Sequence, residues 1–195
     1  LIATGQPDNI HVTRRASGAE ISSVVDRMQA AVVETQPEIA IGGNGLRLAS
    51  KEVVVLITLP KRDSGVATNV TTRGVGLAAF ELRPQLRIIE GRSFKPGSAE
   101  VIVGSSIAQR FEGAAVGSLL RFGGREWQVV GLFEAKGSAY DSEVWADADQ
   151  LLQSFRGRSF KSVILFTVII HVVVIGATSV PYFMKSITGK SDSEL

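Results

Sequence analysis

The stretch Glu52-Val53-Val54-Val55-Leu56-Ile57-Thr58-Leu59 decides the class of fold, and Pro60 follows it directly. Its β-branched and apolar residues are typical of a strand that is buried on both faces. The residues that follow, 61–65, are mostly polar and end in a glycine, which predicts a turn. We therefore expect a buried strand and a tight connection at this point of a folded domain.

Weaker patterns on both sides of this strand predict a mixed, mainly β, α+β domain. Upstream, 9–14 is typical of a short strand and 21–33 of a helix. The apolar face of that helix is expected at Ile21, Val24, Val25, Met28 and Val32. Downstream, apolar runs separated by glycines predict short strands at 86–89, 101–103, 119–122, 127–133 and 143–145. Two short helices are expected at 105–111 and 149–155.

The composition changes near Phe160. Residues 162–184 contain no Asp, Glu, Lys or Arg, and a run of about 23 such residues is long enough to cross a bilayer. We therefore expect a single transmembrane helix over 162–184 and a polar tail over 185–195. The strands and helices that the core needs are all expected before Ser162.

Charge and cysteine content exclude several classes of function. The chain has 21 basic and 19 acidic residues, so its net charge of +2 does not favour nucleic acid as a partner. It has no cysteine, which excludes disulfides, thiolate zinc sites and cysteine catalysis. The sequence starts at Leu1 without a signal sequence, and we expect it to be a fragment of a longer protein.

No stretch carries a complete catalytic or cofactor-binding motif. Residues 188–191 resemble the end of a phosphate-binding loop, but Met184 stands where that loop needs glycine. The two histidines, His11 and His171, are expected in unlike settings, one on a strand and one inside the apolar run. His171 suits either a proton relay or a neutral, hydrogen-bonded histidine. We expect no catalytic residue, no cofactor and no metal site.

The carboxylates of Asp141 and Glu143 lie two positions apart. On a strand they would share one face and suit a cation or a basic partner. A solvated strand edge is the other interpretation.

Seven stretches together form a recognisable family pattern. They are Thr4-Gly5-Gln6-Pro7-Asp8-Asn9, Thr72-Arg73-Gly74-Val75, Phe80-Glu81-Leu82-Arg83-Pro84, Glu90-Gly91-Arg92-Ser93-Phe94-Lys95-Pro96-Gly97, Glu100-Val101-Ile102-Val103-Gly104, Trp127-Gln128-Val129-Val130-Gly131 and Asp141-Ser142-Glu143-Val144-Trp145-Ala146-Asp147. In order and spacing they resemble the MacB-like periplasmic core domain of FtsX-type ABC transporter permeases, over about residues 1–160. The tail after that point departs from the pattern and resembles the anchor of an unrelated membrane protein.

The resemblance implies a two-lobed, extracytoplasmic, non-catalytic domain of a permease subunit in the bacterial inner membrane, with the main domain in the periplasm. Its α/β lobe would combine 5–65 with 139–160, and a mainly β lobe, 66–138, would be inserted into it. The implied partners are a cytoplasmic ATPase subunit, other permease subunits and the membrane. The alternative is a membrane-anchored envelope adaptor or structural protein with the same fold.

The segment that returns the chain from one lobe to the other is the expected hinge. Gly137 allows a mobile turn there, and Tyr140 and Trp145 are expected to anchor the far side by burial. Asp141 and Glu143 are expected to hold the register through polar contacts across the junction. These five residues form the predicted site.

Overall fold

The computed structural model describes residues 9–12, 25, 27–155 and 167–173, and within them the chain is a mixed α+β protein. The strands are β1 (Asn9–Val12), β2 (Ala49–Pro60), β3 (Ala67–Val75), β4 (Arg87–Gly91), β5 (Glu100–Gly104), β6 (Leu119–Phe122), β7 (Arg125–Glu134), β8 (Glu143–Asp147) and β9 (Thr167–Val173). The helices are α1 (Arg27–Glu34), α2 (Ala78–Glu81), α3 (Ser105–Arg110) and α4 (Ala148–Phe155), with a 3-10 helix at Ala139–Ser142. The expected α+β class is confirmed.

One sheet joins these strands in the order β1-β9-β2-β3-β8-β5-β7-β4, and β6 pairs with β7. The predicted buried strand, β2, lies inside this sheet between β9 and β3. Its residues Val53, Val54 and Val55 are all buried, as their β-branched character indicated. A tight turn at 61–66 connects β2 to its antiparallel neighbour β3.

Two apolar cores lie on opposite faces of this sheet. Val101 and Val103 of β5 belong to one core, and the residue between them, Ile102, belongs to the other. The same alternation places Val144 in the first core and Trp145 in the second. Covering both faces in this way explains why the central strands have almost continuous apolar sequences.

The apolar face predicted for α1 is wrong in part. Met28 is 82% exposed and Val32 is 50% exposed, whereas Ala30 and Val33 are buried together with the preceding Val25. Ala30 and Val33 lie three positions apart and so share one face of the helix, which places Met28 and Val32 on the opposite, exposed face. Ile21 and Val24, also expected on that face, lie outside the described residues.

The transmembrane helix expected over 162–184 is corrected where the structure describes it. Thr167–Val173 is a β-strand that pairs antiparallel with β1 on one side and β2 on the other. Its sequence, rich in Val and Ile, suits a strand between two neighbours as well as it suits a membrane helix. Among the described residues, no helix is long and apolar enough to cross a membrane. Residues 162–166 and 174–195, including the expected polar tail, lie outside the described part.

The connection between β4 and β5 is held by one ion pair. Arg92 donates from both terminal nitrogens to the two carboxylate oxygens of Glu100, at 2.7 Å each. The backbone N–H of Lys95 donates to the same carboxylate at 2.9 Å. The hydrogen bonds from Arg92, with that from Lys95, lower the pKa of Glu100 from its ordinary 4.5 to about 2.

Glu100 should therefore make stability depend on acid pH. A carboxyl group whose pKa falls on folding stabilises the fold fully above pH 4.5, and this contribution is lost as the pH falls towards 2. We expect the urea midpoint of the parent chain to exceed that of Glu100→Gln above pH 4.5 and to approach it towards pH 2. A midpoint difference that stays constant over this range would contradict the assignment.

A proline in β9 tests whether this segment is an interior strand of the sheet. Ile170 lies opposite Val12 on one side and Lys51 on the other. Because proline removes a donor from an interior strand, Ile170→Pro should lower the free energy of unfolding by about 3 kcal/mol or more. Denaturant unfolding measures this loss, and a change below about 1 kcal/mol would argue against the strand.

Candidate functional site

The five residues of the predicted hinge occupy a single stretch that runs from the end of β7 into β8. Gly137 has a φ of 75° and follows Lys136, which has a φ of 51°, so the chain reverses sharply here. The 3-10 helix then carries Tyr140 and Asp141, and β8 carries Glu143 and Trp145. All four of these side chains are buried.

Asp141 holds the turn next to it. Its Oδ1 accepts a hydrogen bond of 2.5 Å from the N–H of Ala135, and its Oδ2 accepts one of 2.7 Å from the N–H of Gly137. The side chain is only 8% exposed, so it is not part of a solvated strand edge. Asp141 therefore stabilises the turn at 135–138. Both hydrogen bonds are local, because they join residues four and six positions apart.

Glu143 makes a polar contact between two neighbouring strands of the sheet. Its two oxygens accept hydrogen bonds of 2.8 Å from Nε and Nη2 of Arg73, which lies on β3. Trp145 Nε1 also donates to Glu143, at 2.8 Å. The carboxylate is therefore held by three donors in the interior, and it is not available for a cation.

A second buried pair adjoins the first. Nη1 of Arg83 lies 2.7 Å from Oε1 of Glu52, and Nη2 of Arg83 donates to Oε2 of Glu52 at 2.8 Å. Arg73 reaches the same carboxylate, because its Nη1 donates to Oε2 of Glu52 at 3.0 Å. Two arginines and two glutamates thus alternate in one neutral cluster, which we call the ionic junction: Glu52, Arg73, Arg83 and Glu143.

Aromatic rings enclose the ionic junction. The guanidinium carbon of Arg83 lies 4.9 Å from the ring centre of Tyr140 and 5.2 Å from that of Trp145. The guanidinium of Arg73 lies 5.3 Å from the Tyr140 ring, and the Tyr140 and Trp145 rings meet edge to face at 5.4 Å. Cation–π contacts of this kind strengthen when water is excluded.

Burial sets the energetics of the ionic junction. Moving an unpaired charge out of water costs several kcal/mol, and only close partners offset that cost. Burial by itself would lower the pKa of Arg83, but the charge and hydrogen bonds of Glu52 raise this pKa above its usual value. Arg83 consequently stays charged, and the cluster acts as a fixed joint between β2, β3, β8 and the segment after α2.

Sequence reasoning missed Glu52, Arg73 and Arg83 as site residues. A signal was present, since Glu52 begins the apolar run of β2 and a charge beside such a run must be paired inside or exposed outside. Arg73 and Arg83 lie in two of the stretches that carry the family pattern. The sequence did not show which of these charged residues pair with one another, because the partners are between 21 and 70 positions apart.

The two histidines, which the sequence placed in unlike settings, are paired in the sheet. His11 of β1 lies opposite His171 of β9 in the antiparallel register. Within the described part of the chain, no group of three His, Asp or Glu side chains is arranged to hold a metal ion.

The ionic junction can be tested by a pair of substitutions. Arg73→Met leaves Glu143 buried without its main partner, so we expect a loss of about 3–5 kcal/mol in the free energy of unfolding. Adding Glu143→Gln should restore part of that loss, because the stranded charge is removed. The matched control is Arg87→Met, which breaks an ion pair with Glu134 whose side chains are 65% and 40% exposed. That control should cost about 1 kcal/mol or less, and equal costs at both sites would refute a special role for burial.

Three solved structures with a similar fold come from transporters or permeases. The periplasmic region of MacB from Actinobacillus actinomycetemcomitans aligns with a TM-score of 0.62 and 15% identity, covering 98% of this chain and 89% of that one. The extracellular domain of the noncanonic ABC-type transporter YknZ from Gram-positive bacteria aligns with a TM-score of 0.59 and 16% identity, covering 85% and 81%. A domain of a putative permease protein from Porphyromonas gingivalis gives a TM-score of 0.52 and 14% identity, covering 82% and 67%. No curated protein matches the chain.

The family comparison extends further along the chain than the sequence pattern did. The model of the MacB-like periplasmic core domain matches residues 2–188, so the expectation that the pattern ends near residue 160 is wrong. The structural reason is β9, which lies between β1 and β2 and completes that side of the sheet. Both the family match and the fold agree with the resemblance found in the sequence, and the chain belongs to the MacB-like periplasmic core domain family.

Proposed function

We propose that this domain couples motion driven by a cytoplasmic ATPase to the transport of a substrate, or to a periplasmic partner, as part of an ABC transporter permease. Membership of the MacB-like periplasmic core domain family is the observation that carries the proposal. The full protein would be a permease subunit of the bacterial inner membrane with this domain in the periplasm. The domain itself would be non-catalytic, and the ATPase would be a separate subunit or domain.

The ionic junction suits a domain that transmits force. β8 pairs with β3 on one side and with β5 on the other. It therefore joins two halves of the sheet, one made of β1, β9, β2 and β3 and the other of β5, β7, β4 and β6. Arg73 and Glu143 connect β3 to β8 a second time through side chains. A displacement of one half would therefore reach the other with little loss, because buried, hydrogen-bonded elements deform little.

The turn at 135–138 is the place where the hinge role is proposed. Gly137 has no neighbouring atom within 4 Å of the position that a Cβ would occupy. Asp141 secures the turn through two hydrogen bonds, whereas the strands on both sides of it are paired throughout the sheet. The two lobes, with 66–138 inserted between 5–65 and 139–160, are retained as part of this proposal.

A matched pair of glycine variants tests the coupling role. Gly137→Ala and Gly65→Ala replace glycines with φ values of 75° and 66°, and neither new Cβ meets another atom within 4 Å. Each should therefore cost a similar strain of about 1–2 kcal/mol. In the full-length permease, assembled with its ATPase in proteoliposomes, we expect Gly137→Ala to lower ATP hydrolysis several-fold and Gly65→Ala to leave it nearly unchanged.

Two outcomes would count against the proposed function. Equal ATP hydrolysis by both variants at equal expression would remove the hinge role of the turn at 135–138. Purification of a full-length protein that has neither an ATPase domain nor an ATPase subunit would instead favour the membrane-anchored envelope adaptor that the sequence left as the alternative.

A further inference from the structure

A groove of about 580 Å³ opens at one end of the sheet. Its walls come from α1, from residues 44–51, from the end of β3 with α2, and from the start of α4. The groove exists because its lining is rich in small residues: Ala30, Ala49, Gly76, Ala78 and Ala148. Larger apolar side chains at Val53, Val75 and Leu152 make its inner surface hydrophobic.

Two exposed leucines form the rim of this groove. Leu46 is 64% exposed and Leu77 is 57% exposed, although both line the same cavity. Leucines this exposed on the rim of an apolar concavity are typical of a surface that a ligand covers. A drug-sized molecule is normally buried over 70–90% of its surface. Because this groove is open and its rim is exposed, it suits an extended polypeptide that inserts one apolar side chain better than it suits a small molecule.

The charges around the groove are unbalanced. Its lining holds Glu34, Glu81, Asp147 and Asp149 against Arg47 and Lys51. Lys51 and Glu34 neutralise each other at 3.0 Å. Asp147 accepts a hydrogen bond of 2.9 Å from the N–H of Gln150 at the start of α4, and Glu81 accepts one of 2.8 Å from the N–H of Gly43. Among the described residues that line the groove, three carboxylates therefore remain against the guanidinium of Arg47, and this part of the rim attracts cations.

We propose that this groove binds a polypeptide segment of a partner protein in which an apolar side chain is flanked by lysine or arginine. The apolar side chain would lie over the alanine-lined floor between Leu46 and Leu77, and the cation would approach Glu81 and Asp149. The inference deepens the proposed function, on which it rests, by naming the chemistry of a periplasmic partner.

The test uses the 195-residue chain and a synthetic peptide. The probe is acetyl-Gly-Leu-Lys-Leu-Lys-Gly-amide, and the comparison peptide has Glu in place of both Lys. We expect saturable binding of the lysine peptide by calorimetry, weakening as salt is added, and no saturable binding of the glutamate peptide. The double variant Leu77→Ser with Asp149→Asn should weaken the binding by about tenfold or more.

A matched double variant controls for the loss of an exposed leucine and an exposed aspartate elsewhere. Leu119→Ser with Asp63→Asn changes residues that do not line the groove and should alter the affinity by less than about twofold. Equal binding of both peptides, or equal weakening by both double variants, would overturn the proposal. So would hexylamine binding as tightly as the peptide, which would indicate a site for small amines, or self-association abolished by the groove variant, which would indicate a second copy of the chain.

Failure of this test is distinguishable from failure of the coupling role. Peptide binding is measured on the chain alone, without a membrane or an ATPase. The glycine variants at 137 and 65 do not touch the groove, so the two experiments report on separate parts of the molecule.

Discussion

The contact on which the rest of the structure depends is the buried pair of Arg73 and Glu143. A guanidinium with a side chain only 3% exposed must find its partners in the interior, and its planar fork meets both oxygens of one carboxylate. A third nitrogen reaches Glu52, which Arg83 also holds. The geometry of these bonds fixes where β2, β3 and β8 lie relative to one another, since a shift of one residue would leave charges unpaired in a dry core.

β8 and the turn that precedes it are stabilised in different ways. β8 is paired on both edges, and its side chains enter both cores. The strand is therefore a rigid central element of the sheet. The turn before it is stabilised by the two hydrogen bonds of Asp141 and by residues with positive φ. The hinge proposed at 135–138 lies next to this strand, 143–147, which is paired on both edges. The predicted site divides accordingly: Gly137 lies in the turn, Tyr140 and Asp141 lie in the 3-10 helix, and Glu143 and Trp145 lie on β8.

Sequence patterns predicted the strands whose residues are apolar and missed those whose burial depends on partners. β2, β5 and β7 were readable because Val and Ile runs bounded by turns have few other solutions. β3 was missed because 67–75 contains Thr, Asn, Arg and Gly, and only its neighbours β2 and β8 make it a strand. β9 was taken for a membrane helix because an apolar run does not reveal whether strands or lipid will surround it. The five hinge residues were predicted from turn and aromatic signals, whereas Arg73 and Arg83, which contact some of them, are too distant in sequence to be inferred.

The tight packing around Gly104 explains why glycine stands at a position where the backbone does not need a positive φ. Gly104 has an ordinary extended φ of −64°, yet a Cβ there would lie only 2.3 Å from the carbonyl oxygen of Asp141. The end of β5 therefore lies directly against the 3-10 helix, and any side chain would push that helix away. Displacing it would move Tyr140 off the arginines and Asp141 off its turn, because both belong to the same single turn of helix. A glycine on β5 and a charge pair between β3 and β8 thus stabilise one arrangement from opposite sides, which links the ionic junction to the turn at 135–138.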